Sequence, residues 1–496
     1  MFSKILNLTG SILEVTKLFA FILIGAVVEL LSVGALIPTI FLISNNPDNN
    51  LIIKIDNFLS SFSSYNSDKL PIIILTFLTS IFLFKFIYIL FLTYYQTTFS
   101  KNLSIRLSDK FLKSYLLSDF QFHVKHNSAI LIRNINNEIN VFIKNVFYPS
   151  LVCILEIIII VSTIIFLLFF NFKVTIIVLF IMSILIFFYF LAFRKSFINW
   201  GFQRQYHDGM KLKNLIQSLE FVKLIKFYKR ENFFTEKFNY HIKKSGLLSR
   251  KISITFQFPR LFLEFFTILC IAITSIYLIG NNIELSNLFE TLAVYIAVAY
   301  RLIPGITRLS SNYQAITTGK AAIEKLYEEH VRTGLDKNLF INGVTSQNKN
   351  ITFNDNVEIK NLFFNYNDDQ NNIFENLNFK INKGEFVGIV GESGSGKSTF
   401  VDLILGILKP KQGKIYVDGK ELMPTDNINI GYVTQNVFIM DDSIANNIAF
   451  GIKENEINYK LIFKVLNLSK LYKLINNLPE GINSEVGEKG ARLSGG

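Results

Sequence analysis

The stretch GEFVGIVGESGSGKSTF, residues 384–400, decides the fold class of the C-terminal part of the chain. Residues 391–398 satisfy the pattern G-x-x-x-x-G-K-[ST] at every position. An apolar run, residues 386–390, precedes the pattern, and an apolar-periodic segment, residues 399–408, follows it. Strand, glycine-rich loop and helix in this order predict a phosphate-binding loop rather than a chance glycine-rich turn.

The residue types in this loop suit the binding of phosphate. Glycines at 391, 394 and 396 allow the backbone to turn, so that successive N–H groups point inward. The helix N-terminus adds the positive end of its dipole. In such a loop Lys397 would reach the β- and γ-phosphates, and the Ser398 hydroxyl would bind Mg²⁺. We therefore expect a nucleotide with Mg²⁺.

The sequence around the loop indicates three parts. Short β-branched runs broken by Asn, Asp and Gly begin near Val357 and predict a soluble α/β domain over residues 357–496. Residues 331–356 are charged and then rich in Asn, Thr and Ser, which predicts a linker. Residues 1–330 have a different, strongly apolar composition.

This apolar part predicts a membrane domain. Half of the residues in the chain are apolar, mean hydropathy is +0.36, and 18% are charged, against about 25% in soluble domains. A helix needs about 20 mostly apolar residues to span a bilayer. Cys153 and Cys270 lie in apolar runs, which predicts buried thiols rather than a disulfide. The last of six candidate spans is the weakest, because Arg301 and Pro304 interrupt it. The six spans are 18–44, 70–95, 146–170, 174–193, 255–280 and 285–309.

The net charge is +12, and the basic residues are concentrated in two of the loops between these spans. Residues 101–144 carry seven basic residues against three acidic ones, and residues 194–251 carry fourteen against four. Residues 45–69 carry two against three. By the positive-inside rule the two long loops and both termini are cytoplasmic, as expected in the inner (plasma) membrane. Because the charge reflects topology, we expect no nucleic-acid partner.

The two long loops keep a helical spacing of apolar residues, so they are predicted to extend the membrane helices into the cytoplasm. Breaks near residues 119–127 and 228–234 would lie at the far tips, where a partner domain could press. Residues 2–12 have two interpretations, an amphipathic helix on the membrane surface or a frayed polar start. The amphipathic interpretation rests on Phe2, Ile5, Leu6, Leu8 and Ile12.

With these features, nearly the whole chain resembles a half-molecule of the ABC transporter family, of the exporter type. The resemblance implies that ATP is the nucleotide. NLFFNY matches the family motif whose aromatic residue, here Tyr366, stacks on adenine; the alternative is a core or strand-surface tyrosine. Residues 431–451 match the Q-loop region, so Gln435 would contact Mg²⁺ and the attacking water. The ATP-binding loop residues are then Gly391, Glu392, Ser393, Gly394, Ser395, Gly396, Lys397, Ser398 and Thr399.

The final residues, LSGG at 493–496, match the start of the family's LSGGQ signature. The resemblance implies that Ser494, Gly495 and Gly496 contact the γ-phosphate held by a second half-transporter, in a homodimer or heterodimer. We expect the chain to be truncated within the signature and to lack the Walker B aspartate, the catalytic glutamate and the switch histidine. Such a chain would be inactive alone. The expected fold class is an all-α six-helix transmembrane domain with long cytoplasmic extensions, followed by an incomplete α/β P-loop nucleotide-binding domain.

Charged residues inside membrane spans are costly and usually functional. Lys85, Arg260 and Arg301 could line a cavity that attracts an anionic head group, such as the pyrophosphate of a lipid-linked sugar. The alternative is internal pairing, of Lys85 with Glu29 or of Arg260 with Glu264.

The apolar sequences of the first and last spans resemble those of bacterial flippases for lipid-linked oligosaccharides. The expected function is therefore ATP-driven export or flipping of a lipid-linked or amphipathic substrate, with membrane lipid as a partner. Another lipid, a peptide or a drug-like substrate, and an ATP-binding regulator that transports nothing, are the alternatives.

Overall fold

The structure, a computed structural model, describes a defined set of residues and divides the chain into two compact units, 1–346 and 347–496. The predicted surface helix before Ile12 and residues 493–496 lie outside the described residues. The described residues are 12–43, 53, 57, 69–126, 128–280, 285–332, 350–366, 372–422, 426–435, 437–487 and 490.

The described part of the first unit is helical. Its long helices are α1 (Ile12–Gly34), α3 (Leu70–Leu117), α7 (Tyr148–Phe170), α8 (Phe172–Glu220), α10 (Glu231–Gly280) and α11 (Leu285–Arg332). Its short helices are α2 (Leu36–Ile43), α4 (Phe120–Lys125), α5 (Ser128–Arg133), α6 (Ile139–Phe142) and α9 (Val222–Tyr228). Two π-helical turns, Asn134–Glu138 and Ile143–Phe147, join α5, α6 and α7 into one rod.

Among the described residues, four helical stretches are long and apolar enough to cross a membrane: Leu13–Phe41, Leu70–Leu117, Ile130–Phe170 and Leu292–Lys320. They overlap the first, second, third and sixth predicted spans. The other two predicted spans fall in α8 and α10, where many side chains lie outside the described residues. Pro304 interrupts the apolar sequence but not the helix, because α11 continues through it.

Four helices are too long for a bilayer alone. α3, α8, α10 and α11 contain 48, 49, 50 and 48 residues. At 1.5 Å per residue each measures roughly 70 Å, against a hydrocarbon core of about 30 Å. Both predicted breaks are present: α3 ends at Leu117 before α4, and α9 ends at Tyr228, where Lys229 turns with φ 53° into α10. The prediction of helical extensions with broken tips is confirmed.

The core of the first unit lies between α1, α3, the 128–170 rod and α11. Phe111, Phe142 and Leu326 are fully buried in it. A Cβ on Gly319 would lie 2.5 Å from Cγ2 of Val146, so glycine is required for this approach of α11 to the rod.

The second unit is built around a four-stranded antiparallel sheet, in the order β3–β2–β4–β5. Ile359, Leu362 and Phe364 of the central strand pack against Phe400 and Leu403, and this contact fixes the helix that follows the glycine-rich loop. β1 and β6 form a separate parallel pair. The strands are β1 (Asn350–Ile351), β2 (Asn356–Phe364), β3 (Phe374–Asn382), β4 (Gln412–Val417), β5 (Lys420–Glu421) and β6 (Asn427–Ile428). The helices are α12 (Lys397–Ile404), α13 (Ile444–Ile448), α14 (Tyr459–Leu468) and α15 (Tyr472–Asn476).

Residues 386–390, which the sequence predicts to be a strand, do not form one in the structure. None of the strands in the described part of the chain pairs with it, and Phe386 and Val390 are 101% and 96% exposed. An apolar strand is stable when neighbouring strands take its hydrogen bonds and other elements cover its faces. Without such neighbours, these residues form irregular backbone before the loop.

Candidate functional site

The glycine-rich loop turns sharply into the first turn of α12. Gly394 and Gly396 have φ values of 86° and 91°, in the left-handed region that favours glycine. A Cβ on Gly396 would lie 2.8 Å from Cγ2 of Ile373, so a side chain is also excluded by packing. The amide of Ser395 donates to the carbonyl of Glu392 at 3.2 Å and closes the turn. The loop therefore ends at a helix N-terminus with its unpaired N–H groups.

Lys397 is held by the backbone of this loop. Its ammonium donates to the carbonyl oxygens of Gly391 at 2.8 Å and Glu392 at 2.6 Å. Ser398, the next residue, is exposed. An ammonium, turning backbone amides and an accessible hydroxyl form a donor set that fits the phosphates of a Mg²⁺-bound nucleotide.

Tyr366 lies against the same helix. Its hydroxyl is 3.0 Å from Oγ1 of the buried Thr399, and its ring meets Phe364 edge to face with centroids 5.1 Å apart. Tyr366 itself is half-buried. The structure thus brings the tyrosine to the loop while packing it on the sheet, which is compatible with both interpretations of this residue.

Gln435 is exposed, and the described contacts do not join it to the loop. The segment after it forms the capped helix α13. Oγ of Ser443 accepts from the Asn446 amide at 3.1 Å, and the Asp442 carboxylate accepts from the Ser443 amide and from Nδ2 of Asn446. These hydrogen bonds hold the pKa of Asp442 below its ordinary value, and the bond from the Ser443 amide has the largest effect. The predicted site residues 494–496 lie outside the described residues.

Five charged side chains form a membrane charge cluster in the first unit. Lys85 Nζ lies 3.3 Å from Glu29 Oε2, and Arg301 Nε lies 2.5 Å from Glu29 Oε1. Arg301 Nη1 is also 3.6 Å from Glu156 Oε2, while Arg308 Nε donates to Glu156 Oε1 at 2.6 Å. Both carboxylates are buried. The cluster therefore contains three cations and two carboxylates.

Internal pairing, the alternative to an open cationic cavity, is therefore present for both Lys85 and Arg301. The side chain of Arg260 lies outside the described residues, so its predicted position beside them stays a prediction. Sequence reasoning missed Arg308. It follows Arg301 by seven residues, and this two-turn spacing, which places both on one face of α11, was the available signal.

Two families of known proteins match this chain, each over a different range of residues. The ABC transporter transmembrane region matches residues 36–301, more than half of the chain, and the ABC transporter domain matches residues 374–496. The chain belongs to the ABC transporter family. The match over residues 374–496 includes the glycine-rich loop of this ABC transporter chain.

Individual relatives align with different lengths of this ABC transporter chain. It is 35% identical over 125 residues to the ATP-dependent lipid A-core flippase of Cupriavidus pinatubonensis, covering 24% of the chain and 21% of that protein's length. It is 28% identical over 446 residues to the multidrug resistance-like ATP-binding protein MdlA of Buchnera aphidicola, covering 86% and 73%.

A solved structure of a bacterial Atm1-family ABC exporter with ATP bound has the same fold. It aligns with a TM-score of 0.69 at 17% identity, over 97% of this chain and 81% of that one. The predicted exporter-type fold class is thereby confirmed.

Proposed function

We propose that this chain is one half of an ATP-driven translocase that exports or flips a lipid-linked or amphipathic substrate. The observation that carries the proposal is the loop of residues 391–399, in which Lys397 is fixed among turning backbone at the start of α12. It belongs to the same chain as a membrane domain whose helices extend far beyond the bilayer.

Each residue of the site has a separate role in this proposal. Lys397 holds the β- and γ-phosphates, and Tyr366 presents its ring to adenine. Ser398 and Gln435 would hold Mg²⁺, which when bound neutralises phosphate charge. Residues 494–496 would contact the γ-phosphate bound to a second copy or a related half-transporter. ATP binding would close the pair, and hydrolysis would open it.

We propose an anionic lipid-linked oligosaccharide as the cargo. The membrane charge cluster has one more cation than carboxylates, and Arg308, the cation at its edge, is 48% exposed. Although its Nε donates to Glu156, this half-exposed side chain is accessible to an anionic head group, whereas Lys85 and Arg301 are less exposed. A drug-like cargo is the second candidate, favoured by the name of the Buchnera relative, which aligns with 86% of the chain.

Substitution of the loop lysine tests the proposed function. In full-length protein reconstituted in vesicles, Lys397→Ala should abolish ATP-dependent flipping of a fluorescent lipid pyrophosphate, because the β- and γ-phosphates lose their fixed cation. Lys420→Ala, which removes an exposed lysine of the same unit, is the matched control and should flip at the wild-type rate. Undiminished flipping by Lys397→Ala would refute the assignment.

A further inference from the structure

Two histidines, which we call the histidine pair, join the long helices α8 and α10 outside the predicted membrane spans. Nδ1 of His207 lies 2.9 Å from Nδ1 of His241, and the two ring centroids are 5.2 Å apart. The predicted spans of these helices are residues 174–193 and 255–280. At 1.5 Å per residue, the pair lies roughly 20 Å along the helices from either span. It therefore belongs to the part of α8 and α10 that is predicted to lie in the cytoplasm.

The same dipeptide, Tyr-His, supplies the pair from both helices. It occurs as residues 206–207 in α8 and as residues 240–241 in α10. Each histidine ring meets the tyrosine of the other helix edge to face, with centroid distances of 6.5 Å for Tyr206 with His241 and 6.2 Å for His207 with Tyr240. His241 is 8% exposed and His207 is half-buried. The four rings thus form one contact between the helices, which solvent protons reach through His207.

The contact between the two Nδ1 atoms requires one proton between them. One nitrogen donates and the other accepts, which is possible when both rings are neutral or when one of them is an imidazolium. When both rings are imidazolium ions, both Nδ1 atoms are donors, and two positive charges face each other. The contact is therefore compatible with one imidazolium and incompatible with two.

The charges around the pair oppose the second proton. Burial, followed by the charges of His207 and Lys237, lowers the pKa of His241 below its ordinary value. α11 also packs along α10, but among the described residues none of its groups is one of the charges that act on this ring. The titratable and charged groups on α8 and α10 around the pair are Arg204, Tyr206, Asp208, Lys211, Lys237, Tyr240 and Lys244.

Asp208, the carboxylate beside the pair, provides a second contact between the helices that does not titrate in the same range. Its Oδ1 accepts from Oγ of Ser245 at 2.7 Å and from Nζ of Lys211 at 3.0 Å. Burial raises the pKa of Asp208, but these hydrogen bonds outweigh burial and hold it below its ordinary value. The carboxylate therefore stays ionised at a pH where histidines gain protons.

A metal ion is another ligand that two facing imidazoles could share. Structural metal sites usually take about four protein ligands. In the part of the chain that the structure describes, no group of three His, Cys, Asp or Glu side chains is placed to hold a metal ion. The pair is therefore better suited to binding protons than to binding a metal.

We propose that the histidine pair is a pH-sensitive contact, which holds α8 and α10 together at neutral pH and releases them when both rings are protonated. The proposal goes beyond the ATP-driven function, because it requires neither nucleotide nor cargo. Since the pKa of His241 is lowered in the folded protein, the contact is fully present above the ordinary histidine value of about 6.5. It is lost as the pH falls through the lowered value.

A distance measurement across the two helices tests the proposal. Spin labels at Lys213→Cys on α8 and Glu236→Cys on α10, both exposed positions, are placed in full-length protein with Cys153 and Cys270 replaced. EDTA is present throughout, so that no metal ion bridges the rings. The distance from electron–electron resonance should lengthen by at least about 2 Å on acidification, the size of ordinary helix shifts, with a midpoint below about pH 6.5. An unchanged distance, or a midpoint near or below about pH 4, where carboxylates titrate, would overturn the proposal.

Substitution of both histidines identifies the titrating groups. Asparagine places an amide near the position of Nδ1 and does not titrate, so the combined variant His207→Asn, His241→Asn should give the same distance at both ends of the pH range. Asp208→Asn is the matched control at the neighbouring position and should keep the response. A response that persists in the double variant, or that disappears in Asp208→Asn alone, would contradict the role given to the pair. The distance in the unsubstituted labelled protein decides the matter if the double variant does not fold.

A second label pair separates opening of the contact from acid unfolding. Gln203→Cys and Lys213→Cys both lie at exposed positions on α8, so their distance reports the integrity of that helix alone. It should stay constant over the pH range in which the α8–α10 distance lengthens. A parallel change in both distances would show that α8 itself unfolds and would overturn the proposal.

Discussion

Arg301 and Arg308 share the carboxylate of Glu156 but differ in their access to solvent. The Arg301 side chain is 13% exposed and contacts both buried carboxylates of the membrane charge cluster, Glu29 and Glu156. The Arg308 side chain is 48% exposed and contacts Glu156 alone. Removing Arg301 takes a cation from two buried carboxylates, whereas removing the half-exposed Arg308 affects Glu156 alone and leaves Arg301 beside it. The two arginines should therefore respond differently to substitution.

Glutamine at each arginine tests this difference. Arg301→Gln should destabilise the folded protein by about 3–5 kcal/mol, because two buried carboxylates lose a cation. Arg308→Gln should destabilise the folded protein less than Arg301→Gln, because Glu156 keeps Arg301 beside it, and it should preserve basal ATPase but abolish stimulation by a lipid pyrophosphate. The melting temperature, basal ATPase and stimulated ATPase are measured side by side, with a neutral-headed lipid as control. Full stimulation of Arg308→Gln would contradict the anionic-cargo proposal.

At the scale of elements, the contact between β2 and β4 depends on one glycine. Gly413 has φ 82°, and a Cβ there would lie 2.3 Å from the carbonyl oxygen of Asn361 and 2.5 Å from that of Lys360. The pairing of β2 with β4 is irregular at this point, since the register shifts between Lys360 and Phe363. Gly419, in the turn between β4 and β5, has a similar φ of 75° but no atom near its Cβ position.

These two glycines form a matched pair for substitution. Both alanine variants carry the strain of a left-handed residue, roughly 1–2 kcal/mol. Gly413→Ala should lose a further 1–3 kcal/mol or so, as overpacked positions do, because a backbone carbonyl cannot rotate away as a side chain can. Amide hydrogen exchange of β2 and β4, read by mass spectrometry, measures the loss locally. Equal amide protection of β2 and β4 in the two variants would contradict the additional steric cost expected for Gly413→Ala.

At the scale of the whole molecule, the charge distribution predicts how the chain crosses the membrane. The basic loops, residues 101–144 and 194–251, should both be cytoplasmic, and residues 45–69 should face outward. α3 contains the first part of the 101–144 loop, and its length places the tip helix α4 far from the bilayer.

Cysteine labelling tests this orientation. In a background without Cys153 and Cys270, Ser64→Cys should react with an impermeant maleimide in intact cells. Lys113→Cys, at an exposed position on α3, should react only after the cells are permeabilised. Labelling of Lys113→Cys in intact cells would reverse the proposed orientation.

Features that depend on near neighbours along the chain could be predicted from the sequence. The glycine spacing of residues 391–396 predicts a tight turn, because Gly394 and Gly396 adopt φ values that other residues resist. The lengths of the apolar segments predict the membrane fold class. The breaks at both tips are also predictable, because helical periodicity and its interruption are local properties of the sequence.

The pairing of charges and the membership of the sheet depend on how distant segments pack, so they could not be predicted from the sequence. Arg308 and Glu156 are 152 residues apart in the chain, and Tyr115 and Glu329 are 214 apart. Such partners meet only when separate helices pack, so no local pattern assigns them. The strand predicted at residues 386–390 shows the same limit, because an apolar run becomes a strand only where a neighbouring strand takes its hydrogen bonds.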